Sequence, residues 1–188
     1  RRGCPVILMH MRGTPETMRD LAVYDDVVAD VLRELTARVD TAVAAGVARA
    51  QIAIDPGIGF AKALEHNVAL LRGLHMLTEL GLPIVAGVSR KRFLTTLAGL
   101  VPPERSVSAS VVAALAAWEG GARTLRVHDV AETAQALRFV LHPQKLSFVQ
   151  PDNIADIHQP VVNQTVLLIA GRGSDAAAAI VAHHQNVL

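Results

Sequence analysis

The sequence predicts an α/β fold built on a parallel β-sheet. Four short apolar runs lie at about residues 5–10, 51–55, 83–88 and 123–127, and each is followed by a stretch with helical periodicity. These runs show little polar alternation, which is typical of parallel strands that helices cover. Polar and charged residues gather directly after each run, so we expect the functional groups in the loops at the carboxyl ends of the strands.

Four helices are predicted to follow the strands VILMH, IAID, PIVAGV and TLRVH. Thr14-Pro15 is typical of a helix cap with a proline in the first turn, and the amphipathic stretch at about 21–45 ends at Gly46. The last helix begins with a capping-box spacing, Asp129-Val130-Ala131-Glu132. The second, third and fourth helices are predicted at about 63–80, 106–119 and 129–140.

The composition fits a globular domain that binds a small molecule. A chain of 188 residues that is 51% hydrophobic can bury a core. Eighteen basic and seventeen acidic residues leave a formal charge of +1, which gives no electrostatic reason to expect a nucleic acid or a membrane surface as partner. Cys4 is the only cysteine, so an intrachain disulfide is excluded, and a reducing compartment, by default the cytoplasm, fits.

The loop after the second predicted strand, residues 55–60, is the most informative one. Asp55 stands at the strand end, where a carboxylate can accept two parallel hydrogen bonds from a guanidine-like edge such as pterins and guanines present. Gly57 and Gly59 let the backbone turn tightly or approach a ligand, and Phe60 can close an apolar wall. The alternative is a capping aspartate in a proline turn, and the residues alone leave both interpretations open.

Two further loops carry cations. Arg12, after the first strand, fits either a ligand-lining loop or a turn with a solvated arginine. Ser89 and the three cations that follow it come directly after the third strand, where a helix N-terminus can also point free N–H groups at an anion. A solvated cationic face is the alternative for this cluster.

Arg126 and His128 end the fourth strand. Strand alternation aims both side chains to the same side, so the pair can clamp a phosphate or diphosphate group, although a lone histidine there is more often structural. The four loops together place a carboxylate, two cationic clusters and an imidazole at successive strand ends. This combination predicts an anionic heterocycle as the ligand.

The same four segments resemble the dihydropteroate synthases, a family of pterin-binding TIM-barrel enzymes. The segments are LMHMRGTPETM at 8–18, DPGIGFAK at 55–62, GVSRKRF at 87–93 and RVHDVAET at 126–133. Their order and spacing also match, over roughly residues 1–140. The last two segments favour a synthase over the related methyltetrahydrofolate methyltransferases.

The resemblance implies a fold, an activity and a cofactor. The fold is a partial (β/α)8 TIM barrel, with about the last four βα units in residues 1–142. The reaction condenses 6-hydroxymethyl-7,8-dihydropterin diphosphate with p-aminobenzoate and gives 7,8-dihydropteroate and diphosphate for folate synthesis. Early loss of diphosphate leaves a pterin-methyl cation that the amine attacks. Mg²⁺ as cofactor, inhibition by sulfonamides that mimic p-aminobenzoate, and a homodimer formed through C-terminal helices are implied as well.

The resemblance also implies roles for the residues of the pterin pocket. Asp55 would hold the amino-pyrimidine edge of the pterin, and Phe60 would line the pocket. Lys91 would hydrogen-bond the pterin ring and act as a catalytic residue.

The remaining implied roles concern p-aminobenzoate and the leaving group. Ser89 and Arg90 would lie near the p-aminobenzoate pocket, and Gly87 would lie in the same substrate-binding segment. Arg126 and His128 would bind the diphosphate and contribute to catalysis.

Two departures from the family pattern set further expectations. The segments that carry the diphosphate- and Mg²⁺-binding Asn and Asp residues in the family have no match in this chain, so we assign it no metal ligand. Four strands cannot close an eight-stranded barrel, and an unclosed parallel sheet exposes its edges. We therefore expect marginal stability or self-association, and little or no synthase turnover from the chain alone.

Residues 143–188 resemble no family that we identify. A linker rich in Pro, Asn, Asp and Gln is predicted first, then a strand in VVNQTVLLIAG and a helix in SDAAAAIVAHH. Residues 171–176 formally match G-x-G-x-x-A, but the chain leaves no room for the rest of a dinucleotide fold, and a chance match is the better interpretation. The tail either caps the open edge of the sheet or is foreign sequence joined to the domain.

Two other functions stay open at this point. One is a pterin-dependent methyltransferase domain, against which the SRK and RVH segments argue. The other is a non-catalytic half barrel that binds a pterin or serves only as a structural partner of another chain.

Overall fold

The computed structural model describes residues 4–99, 102–141, 165–170 and 179–182. These residues contain a single sheet in which each strand is hydrogen-bonded to the next one in chain order. The first five strands run parallel, and the sixth pairs antiparallel with the fifth. The strands are β1 Val6–Met9, β2 Ile52–Asp55, β3 Ile84–Ala86, β4 Ala122–Val127, β5 Thr165–Ala170 and β6 Ala179–Ala182.

Helices alternate with the first four strands, and the predicted α/β class with a parallel sheet is confirmed. The α-helices of the described residues are α1 Val27–Ala44, α2 Leu64–Arg72, α3 Arg92–Leu97, α4 Val107–Glu119 and α5 Val130–Val140. Short 3-10 helices cover Arg49–Gln51, Leu74–Leu80 and Pro103–Arg105. A search of these described helices finds none with the length and apolar character needed to cross a membrane.

The helices cover one face of the sheet, and this fixes where polar groups can lie. Ile54 on β2 and Leu125 on β4 are fully buried in the same core cluster as Leu35 of α1. Because strand side chains alternate between faces, Asp55 and Arg126 point to the opposite face. That uncovered face is the one that a closed barrel would turn toward its interior.

The first helix begins later than the sequence predicts. Thr14-Pro15 starts a hydrogen-bonded turn, in which Met18 N–H donates to the Thr14 carbonyl over 2.8 Å, and not a helix. α1 begins at Val27 because Asp26 has extended backbone angles and its carboxylate accepts from two N–H groups of the first turn. This side-chain cap sets the boundary, although the apolar periodicity extends further toward the N-terminus.

Two other predicted helices also need correction. The predicted helix at 63–80 is divided at Gly73 into α2 and a 3-10 helix, and a Cβ at Gly73 would lie 2.7 Å from Val28 Cγ2. The close approach of α1 therefore requires glycine at the break. The predicted capping box at Asp129 does not form, because that carboxylate binds Arg90 instead of the N–H groups of α5. The short helix α3 was not predicted.

The described parts of the tail extend the sheet. The predicted strand is present as β5, which pairs with β4, so this segment does cover the edge of the first four strands. The predicted helix is wrong over β6, because a four-residue apolar run has no diagnostic period and the edge of β5 offers unpaired backbone groups. The predicted linker and the motif at 171–176 lie outside the described residues.

We expect Asp26→Ala to lower the free energy of unfolding by about 1 kcal/mol, because two N–H groups of α1 lose their acceptor. Urea denaturation followed by circular dichroism measures the change. Asp25→Ala is the matched control, since Asp25 is also exposed and immediately precedes the cap. Equal loss of stability in both variants would contradict the capping role.

Candidate functional site

Asp55 is a buried carboxylate at the carboxyl end of β2. Its side chain is 6% exposed, and Oδ1 accepts a hydrogen bond of 2.8 Å from Gly57 N–H. The capping interpretation thus holds for one oxygen, whereas Oδ2 has no hydrogen-bond partner among the described residues. Burial raises the pKa of Asp55, and the Gly57 N–H, Arg126 and Lys91 oppose the rise. The free oxygen can accept a hydrogen bond from a ligand.

Lys91 supplies a cation close to this carboxylate. Its Nζ lies 4.2 Å from the centroid of the Phe60 ring, a cation–π contact. A Cβ at Gly59 would lie 2.9 Å from Lys91 Cδ, so the absence of a side chain at Gly59 makes room for the lysine stem. Burial lowers the pKa of Lys91, Arg126 lowers it further, and Asp55 opposes both. Lys91 is therefore a desolvated cation that can donate to a ligand.

Arg126 approaches the same site from β4. Its guanidinium lies against Gly87, where a Cβ would be 2.9 Å from Nη2 and 3.2 Å from Nε. The neighbouring residues Leu125 and Val127 are buried, which leaves Arg126 exposed on the uncovered face. Gly87 thus leaves the space in which the guanidinium lies.

Ser89 fixes the orientation of His128. The backbone N–H of His128 donates to Ser89 Oγ over 3.2 Å, and Oγ lies 3.1 Å from His128 Nδ1. The Ser89 hydroxyl can donate to Nδ1 or accept from it, so the two contacts fix the position of the ring and leave both tautomers possible. Burial lowers the pKa of His128, as does Arg90, whereas Asp129 opposes them. These effects favour the neutral imidazole.

Arg90 is bound to the start of α5. Its Nη2 and Nε donate to Asp129 Oδ1 and Oδ2 over 2.6 and 3.2 Å, and this contact raises the pKa of Arg90. Its own N–H donates to Ser110 Oγ over 2.9 Å, and its φ of 55° lies in the left-handed region. These contacts hold the turn from Ser89 to Lys91, and the substrate-facing role of Arg90 stays a prediction.

Arg12 has partners within the fold. Its Nε donates to Glu34 Oε1 over 3.0 Å, a second contact reaches Asp30, and its guanidinium carbon lies 4.0 Å from the centroid of the Tyr24 ring. The interpretation of Arg12 as a free, solvated cation is therefore wrong. Its contacts join the first loop to α1.

Sequence reasoning missed three groups that shape the site. Lys62 is 9% exposed and hydrogen-bonds to His10, and Asn67 Oδ1 accepts the Gly59 N–H over 2.6 Å. The position of Lys62 at the end of DPGIGFAK was a usable signal. No sequence signal identifies His10 or Asn67, because their partners are brought close only by folding.

A cavity of about 260 Å³ lies beside Lys91. Its lining includes the guanidinium-bearing Arg92 and the polar residues Lys62, Asn67 and Thr96. Such a lining suits a ligand with an anionic group. In the described segments, no cluster of three or more His, Cys, Asp or Glu side chains can hold a metal ion.

The sequence of this chain matches a protein family and several characterised relatives. The model of a family described as pterin binding enzyme matches residues 1–128. The dihydropteroate synthase of Escherichia coli K12 is 43% identical over 138 residues, which cover 73% of this chain and 49% of that protein. The dihydropteroate synthase of Neisseria meningitidis serogroup B is 46% identical over 136 residues, which cover 71% and 48%. The chain thus spans about half the length of these relatives.

Solved structures of dihydropteroate synthases also match this chain over about half of their own length. The Xanthomonas albilineans dihydropteroate synthase with 4-aminobenzoic acid matches with a TM-score of 0.67 and 49% identity, over 72% of this chain and 47% of that one. The Yersinia pestis enzyme with a sulfonamide drug complex matches with a TM-score of 0.71 and 43% identity, over 73% and 50%. The βα units described above therefore form part of a TIM barrel. With its family model matched over residues 1–128, the chain belongs to the family of pterin-binding enzymes.

Proposed function

We propose that this chain supplies the pterin-binding and leaving-group-binding side of a dihydropteroate synthase. One observation carries the proposal: the buried Asp55 carboxylate, with one free oxygen, faces the cations of Lys91 and Arg126 at adjoining strand ends. The named relatives are dihydropteroate synthases, and one solved relative is in complex with 7,8-dihydropteroate. These findings support 6-hydroxymethyl-7,8-dihydropterin diphosphate and p-aminobenzoate as substrates.

Asp55, Lys91 and Phe60 form the pterin side of the proposed site. The free Asp55 oxygen accepts from the amino-pyrimidine edge, where an ionised carboxylate gives the stronger hydrogen bonds. Lys91 and Arg126 favour this ionised form, since both oppose the rise in the pKa of Asp55. Lys91, held over the Phe60 ring, donates to the pterin ring.

Arg126 and His128 form the leaving-group side. When the carbon–oxygen bond to the diphosphate breaks, negative charge grows on the departing oxygens, and preoriented donors stabilise that charge. Arg126 contributes the guanidinium that lies against Gly87, and His128 contributes its imidazole in the position that Ser89 sets. The amine of p-aminobenzoate then attacks the pterin-methyl cation, so the site requires no serine or cysteine nucleophile.

The remaining parts of the proposal rest on the family resemblance. Ser89, Gly87 and Arg90 are assigned to the side that receives p-aminobenzoate, and sulfonamides are expected to bind there. Mg²⁺ belongs to the proposal by resemblance alone, no residue of this chain is assigned to hold it, and no step is routed through that ion. A homodimer and a cytoplasmic location belong to the same proposal.

A titration separates this proposal from its alternatives. The chain is titrated with the pterin diphosphate and then with p-aminobenzoate, with and without Mg²⁺, and dihydropteroate is measured. We expect pterin binding with little or no turnover, and turnover at the rate of an intact enzyme would contradict the expected low activity. Absence of pterin binding would leave only a structural half barrel.

We expect Asp55→Asn to weaken the binding of 6-hydroxymethylpterin at least about tenfold, since a charged hydrogen-bond acceptor contributes on the order of 1.5–3 kcal/mol. The pterin's fluorescence on titration with protein reports the dissociation constant. Asp40→Asn, which changes an exposed carboxylate of α1, is the control. An unchanged affinity in Asp55→Asn would exclude Asp55 as the pterin acceptor.

We expect Gly87→Ala to weaken the binding of inorganic diphosphate roughly three- to tenfold, because the new methyl group displaces the Arg126 guanidinium. Isothermal titration calorimetry measures the affinity, with Arg126→Met as the reference for complete loss of the cation. The urea midpoint should stay unchanged, since the methyl group meets the flexible end of a side chain. Undiminished diphosphate binding would show that Arg126 does not hold the anion.

A further inference from the structure

Lys62 is a buried cation that the proposed mechanism does not use. Its three hydrogen-bond partners are the carbonyl oxygens of Gly57 and Phe60, at 3.1 and 3.0 Å, and His10 Nδ1, at 3.0 Å. An ammonium group has three donors and no acceptor, so these three acceptors satisfy it completely. None of the three partners carries a negative charge, which sets Lys62 apart from an ordinary buried ion pair.

The two carbonyl groups belong to the loop at 55–62, and the geometry of this loop is demanding. Gly57, Gly59 and Ala61 have φ angles of 67°, 85° and 49°, in the left-handed region. A Cβ at Gly57 would lie 1.8 Å from the His10 carbonyl oxygen, so the loop lies directly on the chain after β1. For alanine the left-handed region is unfavourable, so the conformation of Ala61 needs contacts that hold it in place.

His10 anchors the ammonium to α1. It is fully buried, and its Nε2 lies 3.0 Å from Glu34 Oε2. Burial lowers the pKa of His10 to about 4, and Lys62 contributes to this lowering. At neutral pH the ring is therefore uncharged, donates from Nε2 to Glu34, and accepts from Lys62 at Nδ1.

The same loop carries both pterin-side groups. Gly57 N–H holds Asp55 Oδ1, and Phe60 supplies the ring against which Lys91 is placed. A displacement of the loop would therefore move the carboxylate and the aromatic wall together.

We propose that Lys62 is a positioning residue that holds the loop at 55–62 in its ligand-binding shape, and that His10 transmits this constraint from Glu34 on α1. The inference rests on the proposed function only for the identity of the ligand. Lys62 does not contact the pterin in this proposal, and it acts through Asp55 and Phe60.

The protonation state of Lys62 makes this role distinguishable from simple packing. Burial lowers the pKa of Lys62 to about 7. As the pH rises through this value the group loses one of its three donors, so pterin affinity should fall between about pH 6 and 8. Six charged or titratable groups face Lys62. His10, Arg12 and Tyr24 lie between β1 and α1, Glu34 and Arg38 lie on α1, and Asp55 lies on β2.

The test compares the 188-residue chain with its Lys62→Met variant by fluorescence titration of 6-hydroxymethylpterin across this pH range. We expect about tenfold weaker binding at pH 6, because a displaced loop misaligns the groups that hold the ligand. We also expect the fall in affinity at higher pH to disappear in the variant. Titration of the free pterin is common to both proteins and cancels in the comparison.

We expect Lys62→Met to change the stability toward urea differently from the affinity for the pterin. The folded-state pKa of Lys62 is below its ordinary value, so burial of the ammonium opposes folding most strongly below pH 7, and this penalty fades as the pH rises toward 10.5. Lys62→Met should therefore unfold at an equal or higher urea concentration than wild type at pH 6. Arg49→Met is the matched control, because Arg49 also donates to a carbonyl, that of Leu80, but lies before β2 at the opposite end of the strand.

Hydrogen exchange tests the loop itself without a ligand. We expect the amides of Gly57 and Gly59 to exchange about tenfold faster in Lys62→Met, because their acceptors Asp55 and Asn67 lose a fixed position. Unchanged exchange together with unchanged affinity would overturn the proposal, and a parallel loss of affinity and urea stability would reduce Lys62 to a structural residue. If wild type binds no pterin, the proposed function fails, while faster exchange in the variant would still support the positioning role.

Discussion

The burial of the Asp55 carboxylate is the constraint on which the rest of the site depends. A buried, ionised carboxylate is unfavourable unless donors and cations offset its loss of hydration. Gly57 N–H donates to one oxygen, and Lys91, Arg126 and Lys62 surround the group with positive charge. The carboxylate in turn opposes the pKa lowering of Lys91 and Lys62 that burial causes. Asp55 thus stabilises the charged forms of Lys91 and Lys62, which in turn stabilise its ionised form, and a polar ligand can enter without the site having to create a charge.

Two glycines leave the space that the cationic side chains of the site occupy. Gly59 leaves room for the Lys91 stem, and Gly87 leaves room for the Arg126 guanidinium. Gly59 follows β2 and accommodates Lys91, which follows β3. Gly87 follows β3 and accommodates Arg126, which lies on β4. The parallel order β2, β3, β4 therefore determines which glycine serves which cation. A different strand order would leave both cations without the space that they occupy.

In the part of the barrel described here, the strand-end residues Asp55 and Arg126 lie on the face that the described helices do not cover. In a closed barrel that face is enclosed by the remaining strands, and β1 forms one edge of the sheet in the described residues. On the side of the sheet away from β1, β5 pairs with β4, the strand that carries Arg126. The chain thus places its strand-end polar groups together on one face of the described sheet.

The sequence by itself determined the α/β class, the first four strands and the residues at their carboxyl ends. Those features are local, because apolar runs, capping residues and glycine positions act over a few residues. It also determined the family, because four separate segments matched in order. The helix break at Gly73 and the missing capping box at Asp129 were not predicted, because contacts with α1 and with Arg90, distant in sequence, decided them.

Only the tertiary structure decided how the site is held. The contacts of Lys62 with His10, and of Ser89 with His128, join residues 52 and 39 positions apart. No local pattern encodes such pairs, because the distance between their atoms depends on the register of the strands and the packing of α1. The sequence could therefore place Asp55 at a strand end. The folded chain alone showed that one of its oxygens is held by Gly57 and the other is free.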